Sequence, residues 1–225
     1  MAFSDLSYLW LIVITLVLGF GTQIFIKLTY KKWSRIPITS GLTGAQAARR
    51  MLDAYGLSNV AINMVKGKLT DHYDPRTNVV SLSEEVYNTQ SVAATAIACH
   101  ECGHAVQHAY NYAPARLRST LVPVVNFAGN VWIVVLFAGI FLSMIGMIYL
   151  AIALYAAVIL FQLVTLPVEF DASSRAMAYV KSYGFLPATE TGGARSVLTS
   201  AALTYVAAAL ISVVQLVYLL GVARR

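Results

Sequence analysis

Two histidines and a glutamate stand in a spacing that predicts a catalytic metal site. The run His100-Glu101-Cys102-Gly103-His104 lies in a predicted helix that begins after Ser91. Helix positions four apart share one face, so both imidazoles can reach one metal ion. Glu101 is offset by one position and borders the site, where it can take a proton from the attacking water and pass it to a leaving amine. Imidazole ligands beside a carboxylate base predict zinc and peptide hydrolysis.

A catalytic zinc site also needs a third protein ligand and one position open for water. The metzincin pattern would place that ligand at position 110, which is tyrosine here, so that subclass is excluded. No histidine or cysteine follows position 108, which leaves three downstream carboxylates as candidates: Glu169, Asp171 and Glu190. Glu169 stands where an apolar run ends and is the predicted ligand, with Asp171 orienting a histidine. Glu190 lies in a glycine-rich connection that offers little rigid support.

The other histidines and the two cysteines carry less specific signals. His72 follows Asp71 near a turn, and either a turn residue or a group that supports the transition state is consistent with its position. His108 continues the face of the two ligand histidines, but one straight helix cannot aim three such residues at one ion. Cys99 and Cys102 have the spacing of a redox pair. On a helix that faces a reducing cytosol, we expect them to be small buried side chains.

The composition places the chain in a membrane. It has 225 residues, of which 58% are hydrophobic and 12% charged, with a formal net charge of +6 and a mean hydropathy of +0.68. Soluble domains carry about 25% charged residues. The basic residues lie beside apolar runs, which favours membrane topology over nucleic-acid binding. Four runs are long enough to span a bilayer: about 6–26, two within 121–168 with a turn near 143–146, and about 201–221.

These spans predict five segments: a transmembrane helix (1–26), a metallopeptidase domain (27–118), a transmembrane hairpin (119–168), a segment with the third ligand (169–200) and a C-terminal transmembrane helix (201–225). The hairpin returns the chain to the side it left, so both polar segments face one compartment. The basic residues on that side are Lys27, Lys31, Lys32, Arg35, Arg116, Arg118, Arg175 and Lys181. The opposite side has Arg224, Arg225 and an N-terminus bearing Asp5. The positive-inside rule therefore places the polar segments in the cytoplasm.

The first polar segment predicts a small α/β unit, so the fold class is a mainly α membrane protein with such a unit at one membrane face. Thr43 and Gln46 form a capping-box pattern that opens a helix ending near Gly56. The alternating residues 60–64 predict a half-buried strand. Residues 74–78 are a turn, and 79–82 are a second strand. The second strand either holds an extended substrate along its edge or is fully paired within the domain.

Three motifs together resemble the YugP-type neutral zinc metallopeptidases of bacterial membranes. They are LTDHYDPRT at 69–77, HECGHAVQH at 100–108 and LPVEFDASSRA at 166–176. More distantly, the chain is similar to the HtpX-type and CaaX-prenyl-protease group, in which a downstream glutamate completes the zinc site. That pattern maps onto Glu169. The aspartate that follows four residues later in that group is Ser173 here, so Asp171 or Ser173 takes its place, and Arg175 corresponds to a substrate-binding or charge-stabilising arginine.

We therefore predict a membrane-bound, gluzincin-like zinc endopeptidase with one Zn²⁺ per chain and Glu101 as its general base. Its substrates would be peptides or proteins, membrane proteins among them, and its partner the lipid bilayer of a bacterial inner membrane, with no nucleic acid. One alternative is a zinc transporter or sensor, which would need ionisable residues within the spans, and 121–168 contains none. The other is an inactive scaffold, but a structural zinc site has no need of a carboxylate that is not a ligand.

Overall fold

The computed structural model describes residues 2–184 and 186–223. Within them the chain is mainly helical with one small sheet, which confirms the predicted fold class. The helices are α1 (Ala2–Trp33), α2 (Gly44–Ala54), α3 (Glu84–Asn88), α4 (Val92–Ala109), α5 (Ala113–Phe141), α6 (Ile145–Ser182) and α7 (Ala188–Ala223). The strands are β1 (Ala61–Val65), β2 (His72–Asp74) and β3 (Val79–Ser83).

Four helices in the described part of the chain are long and apolar enough to cross a membrane, as predicted. They contain the stretches Tyr8–Trp33, Ala113–Phe141, Ile145–Ser182 and Thr189–Ala223. Each helix is longer than the apolar run that predicted it, because the polar residues at its end continue the same helix. Arg224, Arg225 and the side chain of Asp5, which entered the charge count, lie outside the described residues.

The chain forms two compact units. One consists of the described residues within Met1–Gln23, Arg116–Leu166 and Leu203–Arg225, and the other of Ile24–Ala115 and Pro167–Ala202. In the first unit, Ser143 has a φ of +54° in the turn that ends α5, where the sequence predicts a turn. Gly139 lets the backbone of Ile148 approach, since a Cβ there would lie 3.0 Å from the Ile148 amide nitrogen. All the predicted site residues belong to the second unit.

Helix α2 begins as its sequence predicts. The Thr43 hydroxyl accepts a hydrogen bond from the Gln46 amide, and the Gln46 side chain accepts one from the Thr43 amide. This reciprocal pair satisfies two amides that the first helical turn leaves without partners. Gly56, with a φ of +72°, ends the helix in the left-handed region that glycine adopts without strain. The helix buries Met51 and Leu52 in the core of the unit.

The sheet has the order β1-β3-β2, with β1 parallel and β2 antiparallel to β3. Strand β3 is therefore the central strand, and Val80 and Leu82 on it are fully buried. The hypothesis that 79–82 holds a substrate along its edge is wrong, because β1 and β2 occupy both sides of it. Strand β1 is less buried than the half-buried strand predicted for 60–64, since Met64 on it is 53% exposed.

Helix α4 passes through the core of the second unit. It begins after Ser91, whose hydroxyl accepts a hydrogen bond from the Ala94 amide, and it runs to Ala109. Cys99 and Cys102 are fully buried free thiols, which confirms the prediction of small core side chains. Burial raises the pKa of Cys99 to about 12. A thiol in this environment is inert toward redox chemistry, which requires the thiolate.

Candidate metal centre

Two helices bring three ligand atoms together. His100 and His104 project from one face of α4, and Glu169 projects from α6. The Glu169 Oε2 lies 3.2 Å from the His100 Nε2 and 3.7 Å from the His104 Nε2. The three ligand atoms lie within 4.8 Å of one another. Zinc bonds of 2.0–2.1 Å at a tetrahedral angle separate neighbouring ligand atoms by about 3.3–3.4 Å, and the two distances to the Glu169 oxygen lie near this value.

The close approach of α4 and α6 depends on a glycine. A Cβ at Gly103 would lie 2.6 Å from the Ala172 carbonyl oxygen and 3.1 Å from the Ala172 Cα. Real Cβ atoms do not approach backbone atoms so closely, so position 103 must be glycine for the helices to pack at this distance. The contact lies beside His104 on α4 and three residues after Glu169 on α6. It thereby sets how far the two histidines stand from the glutamate.

The base predicted from the motif lies next to the ligands and is shielded from solvent. Glu101 is 8% exposed and Glu169 is 3% exposed. Burial raises the pKa of the Glu101 carboxyl, and the nearby imidazoles of His100 and His104 partly oppose that shift. The Asp71 carboxylate also acts on Glu101 electrostatically. It is held in place by the Ser83 amide and hydroxyl, which donate to it at 2.7 and 3.0 Å.

Each ligand histidine has a polar partner at its second ring nitrogen. The His100 Nδ1 lies 3.1 Å from the Ser173 hydroxyl, and the His104 Nδ1 lies 3.0 Å from the Gln107 Oε1. Such partners fix the orientation of an imidazole ring. Of the two residues that the resemblance offered beside a histidine, Ser173 contacts His100 directly, whereas Asp171 reaches His104 only through Gln107. The Asp171 Oδ2 accepts from the Gln107 Nε2 at 2.8 Å.

Gln107 is a site residue that the sequence argument missed. It follows His104 by three positions, and helix residues three apart share a face, so a polar side chain there was a detectable signal. The side chain is nearly inaccessible to solvent, being 1% exposed. Its amide nitrogen also donates to the Val168 carbonyl on α6 at 2.7 Å.

Comparison with known proteins identifies the family. A family model described as "Putative neutral zinc metallopeptidase" matches residues 8–224. The chain belongs to this family. It is also 46% identical over 209 residues to "Putative membrane protease YugP" of Bacillus subtilis (strain 168), with 93% of each chain covered. No solved structure gives a significant match.

Membership in the zinc metallopeptidase family agrees with the geometry of the centre. The protein is a membrane metalloprotease, and its cofactor is zinc. The donor set of two imidazoles and one carboxylate is one that zinc favours, and in catalytic sites it leaves a fourth position open. The family match spans all four apolar helices as well as the centre, so it covers both features that the sequence predicts.

Two further predicted residues of this metallopeptidase, Arg175 and His72, have contacts outside the group of His100, His104 and Glu169. The Arg175 Nε donates to the Asp171 Oδ2 at 2.6 Å, and its guanidinium lies 5.8 Å from the Tyr112 ring centroid. His72 lies exposed on β2, with its Nδ1 2.8 Å from the Thr70 carbonyl oxygen. His72 is thus a strand residue, and the alternative that it is a turn residue is wrong.

Glu190 is a structural residue, and the expectation that it lies in a loosely supported connection is wrong. It stands in the first turn of α7, where the glycines that follow it are themselves helical. Its carboxylate accepts from the Thr39 hydroxyl at 2.5 Å and from the Thr39 amide at 3.3 Å. These bonds fasten the segment between α1 and α2 to the start of α7. The glutamate is absent from the metal-binding group of the described residues.

Proposed function

We propose that this chain is a zinc-dependent endopeptidase of the gluzincin type, in which His100, His104 and Glu169 hold the metal and Glu101 is the general base. The observation that carries this proposal is the convergence of two imidazole nitrogens and one carboxylate oxygen from α4 and α6. Glu101 lies one position after the first of these ligands, about 100° further around the helix. It is therefore beside the metal position without being a ligand.

Zinc, when bound, lowers the pKa of water and polarises the scissile carbonyl. Glu101 accepts the proton of the attacking water and later donates it to the leaving nitrogen. The low exposure of Glu101 keeps bulk water away from this transfer, which strengthens its electrostatic interactions. The Arg175 side chain is 29% exposed and bound to Asp171, which supports the proposal that it binds or charge-stabilises the substrate.

The edge of the sheet beside the zinc helix is β2 and not β3. In the part of the chain that the structure describes, β2 pairs with β3 alone, and the Tyr73 hydroxyl lies 3.2 Å from the His108 Nδ1 of α4. We propose that an extended substrate pairs with β2, where backbone hydrogen bonds supply affinity. Peptides methylated at single backbone nitrogens test this pairing. Loss of kcat/KM at alternate positions supports it, and equal kcat/KM for every methylated peptide would reject it.

We place the protein in the inner membrane of a bacterium, with the centre facing the cytoplasm. The excess of basic residues on the side of the polar segments supports this orientation. Lys31 and Lys32 in the last turn of α1 belong to that excess. The substrate would then be a cytoplasmic protein or peptide, or a cytoplasmic loop of a membrane protein.

The general base is tested by Glu101→Gln in the purified full-length chain. The variant should bind zinc as the wild type does but lose hydrolysis of a casein-like substrate, because the ligands remain while the base is absent. Glu84→Gln is the matched control, since Glu84 is an exposed glutamate in the first turn of α3. Undiminished turnover in Glu101→Gln at equal zinc content would refute the assigned role. A wild type that holds zinc but hydrolyses nothing would favour the scaffold or the sensor.

The ligand set is tested by zinc titration. His100→Ala and His104→Ala should lose both zinc and activity. Glu169→Ala should weaken zinc binding well beyond the 10–100-fold that is typical when a residue supporting a metal ligand is removed. Asp171→Ala should stay within that range. Glu190→Ala should leave zinc binding unchanged because its carboxylate binds Thr39. Loss of the metal in Asp171→Ala with retention in Glu169→Ala would show that the third ligand is wrongly assigned.

A further inference from the structure

Gln107 contacts both helices that supply the ligands. Its Oε1 lies 3.0 Å from the His104 Nδ1, and its Nε2 lies 2.7 Å from the Val168 carbonyl oxygen and 2.8 Å from the Asp171 Oδ2. Val168 immediately precedes Glu169 in α6. One buried amide therefore joins a histidine of α4 to the backbone next to the carboxylate of α6.

The chemistry of these partners determines which way the amide points. A backbone carbonyl accepts hydrogen bonds and cannot donate, and an ionised carboxylate behaves in the same way. The Arg175 guanidinium donates to the same Asp171 oxygen at 2.6 Å, so this oxygen is an acceptor. The amide nitrogen must therefore face Val168 and Asp171. The opposite orientation would place the Gln107 Oε1 against the Val168 carbonyl oxygen and the Asp171 Oδ2, which are both acceptors. The Oε1 therefore faces His104.

This orientation selects the tautomer of the imidazole. Because Oε1 can only accept, the His104 Nδ1 must carry a proton, and a neutral imidazole then has its lone pair on the Nε2, which lies 3.7 Å from the Glu169 Oε2. That lone pair is what a metal requires. The partner of His100 has no such effect, because the Ser173 hydroxyl can donate or accept and rotates to suit either tautomer.

We infer that Gln107 is a positioning residue that keeps the proton of His104 on Nδ1 and thereby prepares the Nε2 of this histidine for zinc. The inference rests on the proposed function, in which His104 and Glu169 are ligands. Burial strengthens the effect, since hydrogen bonds in a dry interior are electrostatically stronger than in water. The helix contact at Gly103 keeps α6 close enough for the amide to reach Val168.

The test compares Gln107→Leu and Gln107→Glu in the full-length, zinc-loaded protein. Leucine nearly keeps the volume and removes all three hydrogen bonds, so zinc affinity should fall about 10–100-fold. Glutamate keeps an oxygen that faces His104, so its affinity should lie between those of the wild type and the leucine variant. Ser173→Ala is the matched control at the other histidine. NMR of protein with ¹⁵N-labelled histidine should show a His104 Nδ1 proton that exchanges slowly in the wild type and Ser173→Ala but quickly in Gln107→Leu.

The outcomes separate this inference from the proposed function. A zinc affinity of Gln107→Leu within twofold of the wild type, or an unchanged His104 Nδ1 proton, would overturn the role of Gln107. So would a glutamate variant that binds zinc no more tightly than a folded leucine variant. If leucine disturbs folding, a glutamate variant in which the His104 Nδ1 proton exchanges quickly would overturn the role, because its oxygen still faces that proton. Zinc affinity and proton exchange do not depend on turnover. Tight zinc binding by His104→Ala would instead overturn the site itself.

Discussion

Replacing Gly103 with alanine should separate the two halves of the zinc centre. The added Cβ would lie 2.6 Å from the Ala172 carbonyl oxygen, whereas ordinary contact begins at 3.4 Å, a shortfall of about 0.8 Å. The atom in the way belongs to the α6 backbone and cannot rotate aside, so the helices must move apart. Glu169 is less than one helical turn from this contact and must move with its backbone.

The size of that movement decides the expected effect. Zinc–ligand distances hold within about 0.2 Å, so a displacement of 0.8 Å exceeds this tolerance about fourfold. A misplacement of about 1 Å can cost roughly 10²-fold in rate, and we expect that loss in kcat/KM together with at least a tenfold weaker zinc affinity. Overpacking costs about 1–3 kcal/mol of folding stability, while alanine regains up to about 1 kcal/mol of helix propensity. The fold should therefore survive.

Three measurements on the purified variant check this reasoning: zinc competition with a chromophoric chelator, peptide hydrolysis, and thermal unfolding with and without zinc. Gly192→Ala is the control, because a Cβ at this helical position meets nothing within 4 Å. It should keep wild-type zinc affinity and turnover. If Gly103→Ala binds zinc and cleaves peptide within twofold of the wild type, the contact with Ala172 does not set the geometry of the centre.

Further changes address the surroundings of the site and its topology. Ser173→Ala removes the hydroxyl 3.1 Å from the His100 Nδ1. It should weaken zinc binding about tenfold, which is the mild end of the range for residues that hydrogen-bond to a metal ligand. An unchanged affinity in zinc titrations would show that His100 needs no such partner. Cys99 and Cys102 should resist maleimide at pH 8 in the folded protein and react after denaturation, because burial raises the pKa of Cys99 to about 12; rapid labelling, read by mass spectrometry, would contradict their burial. Ser58→Cys, at an exposed position, should react with a membrane-impermeant thiol reagent only after lysis, and labelling in intact cells would place the centre outside the cytoplasm.

Features that depend on neighbouring residues could be predicted from the sequence. The 3.6-residue period of a helix places His100 and His104 on one face whatever surrounds them. The capping box at Thr43 and the turn at Ser143 are likewise set within a few residues. Membrane association follows from composition, because apolar runs of this length match the thickness of a bilayer. These parts of the fold are as the sequence predicts.

Features that depend on residues far apart in the chain were decided by packing. Sequence position favoured Glu169 over two other acids, but only the approach of α6 to α4 brings its oxygen to 3.2 Å from His100. The sequence allows β3 to be an edge strand, but in the folded chain β1 and β2 pair with both of its sides. The contact between Thr39 and Glu190 joins residues 151 positions apart.

Gln107 shows the physical reason for this division. Its polarity and its place on the ligand face of α4 are local facts, visible in the sequence. Its role depends on the Val168 carbonyl and the Asp171 carboxylate, which stand 61 and 64 positions away and meet it only when the helices pack. A buried amide takes its orientation from whichever donors and acceptors surround it. The sequence therefore determined that His100 and His104 share a face, and the tertiary structure determined which carboxylate meets them and which hydrogen bonds orient them.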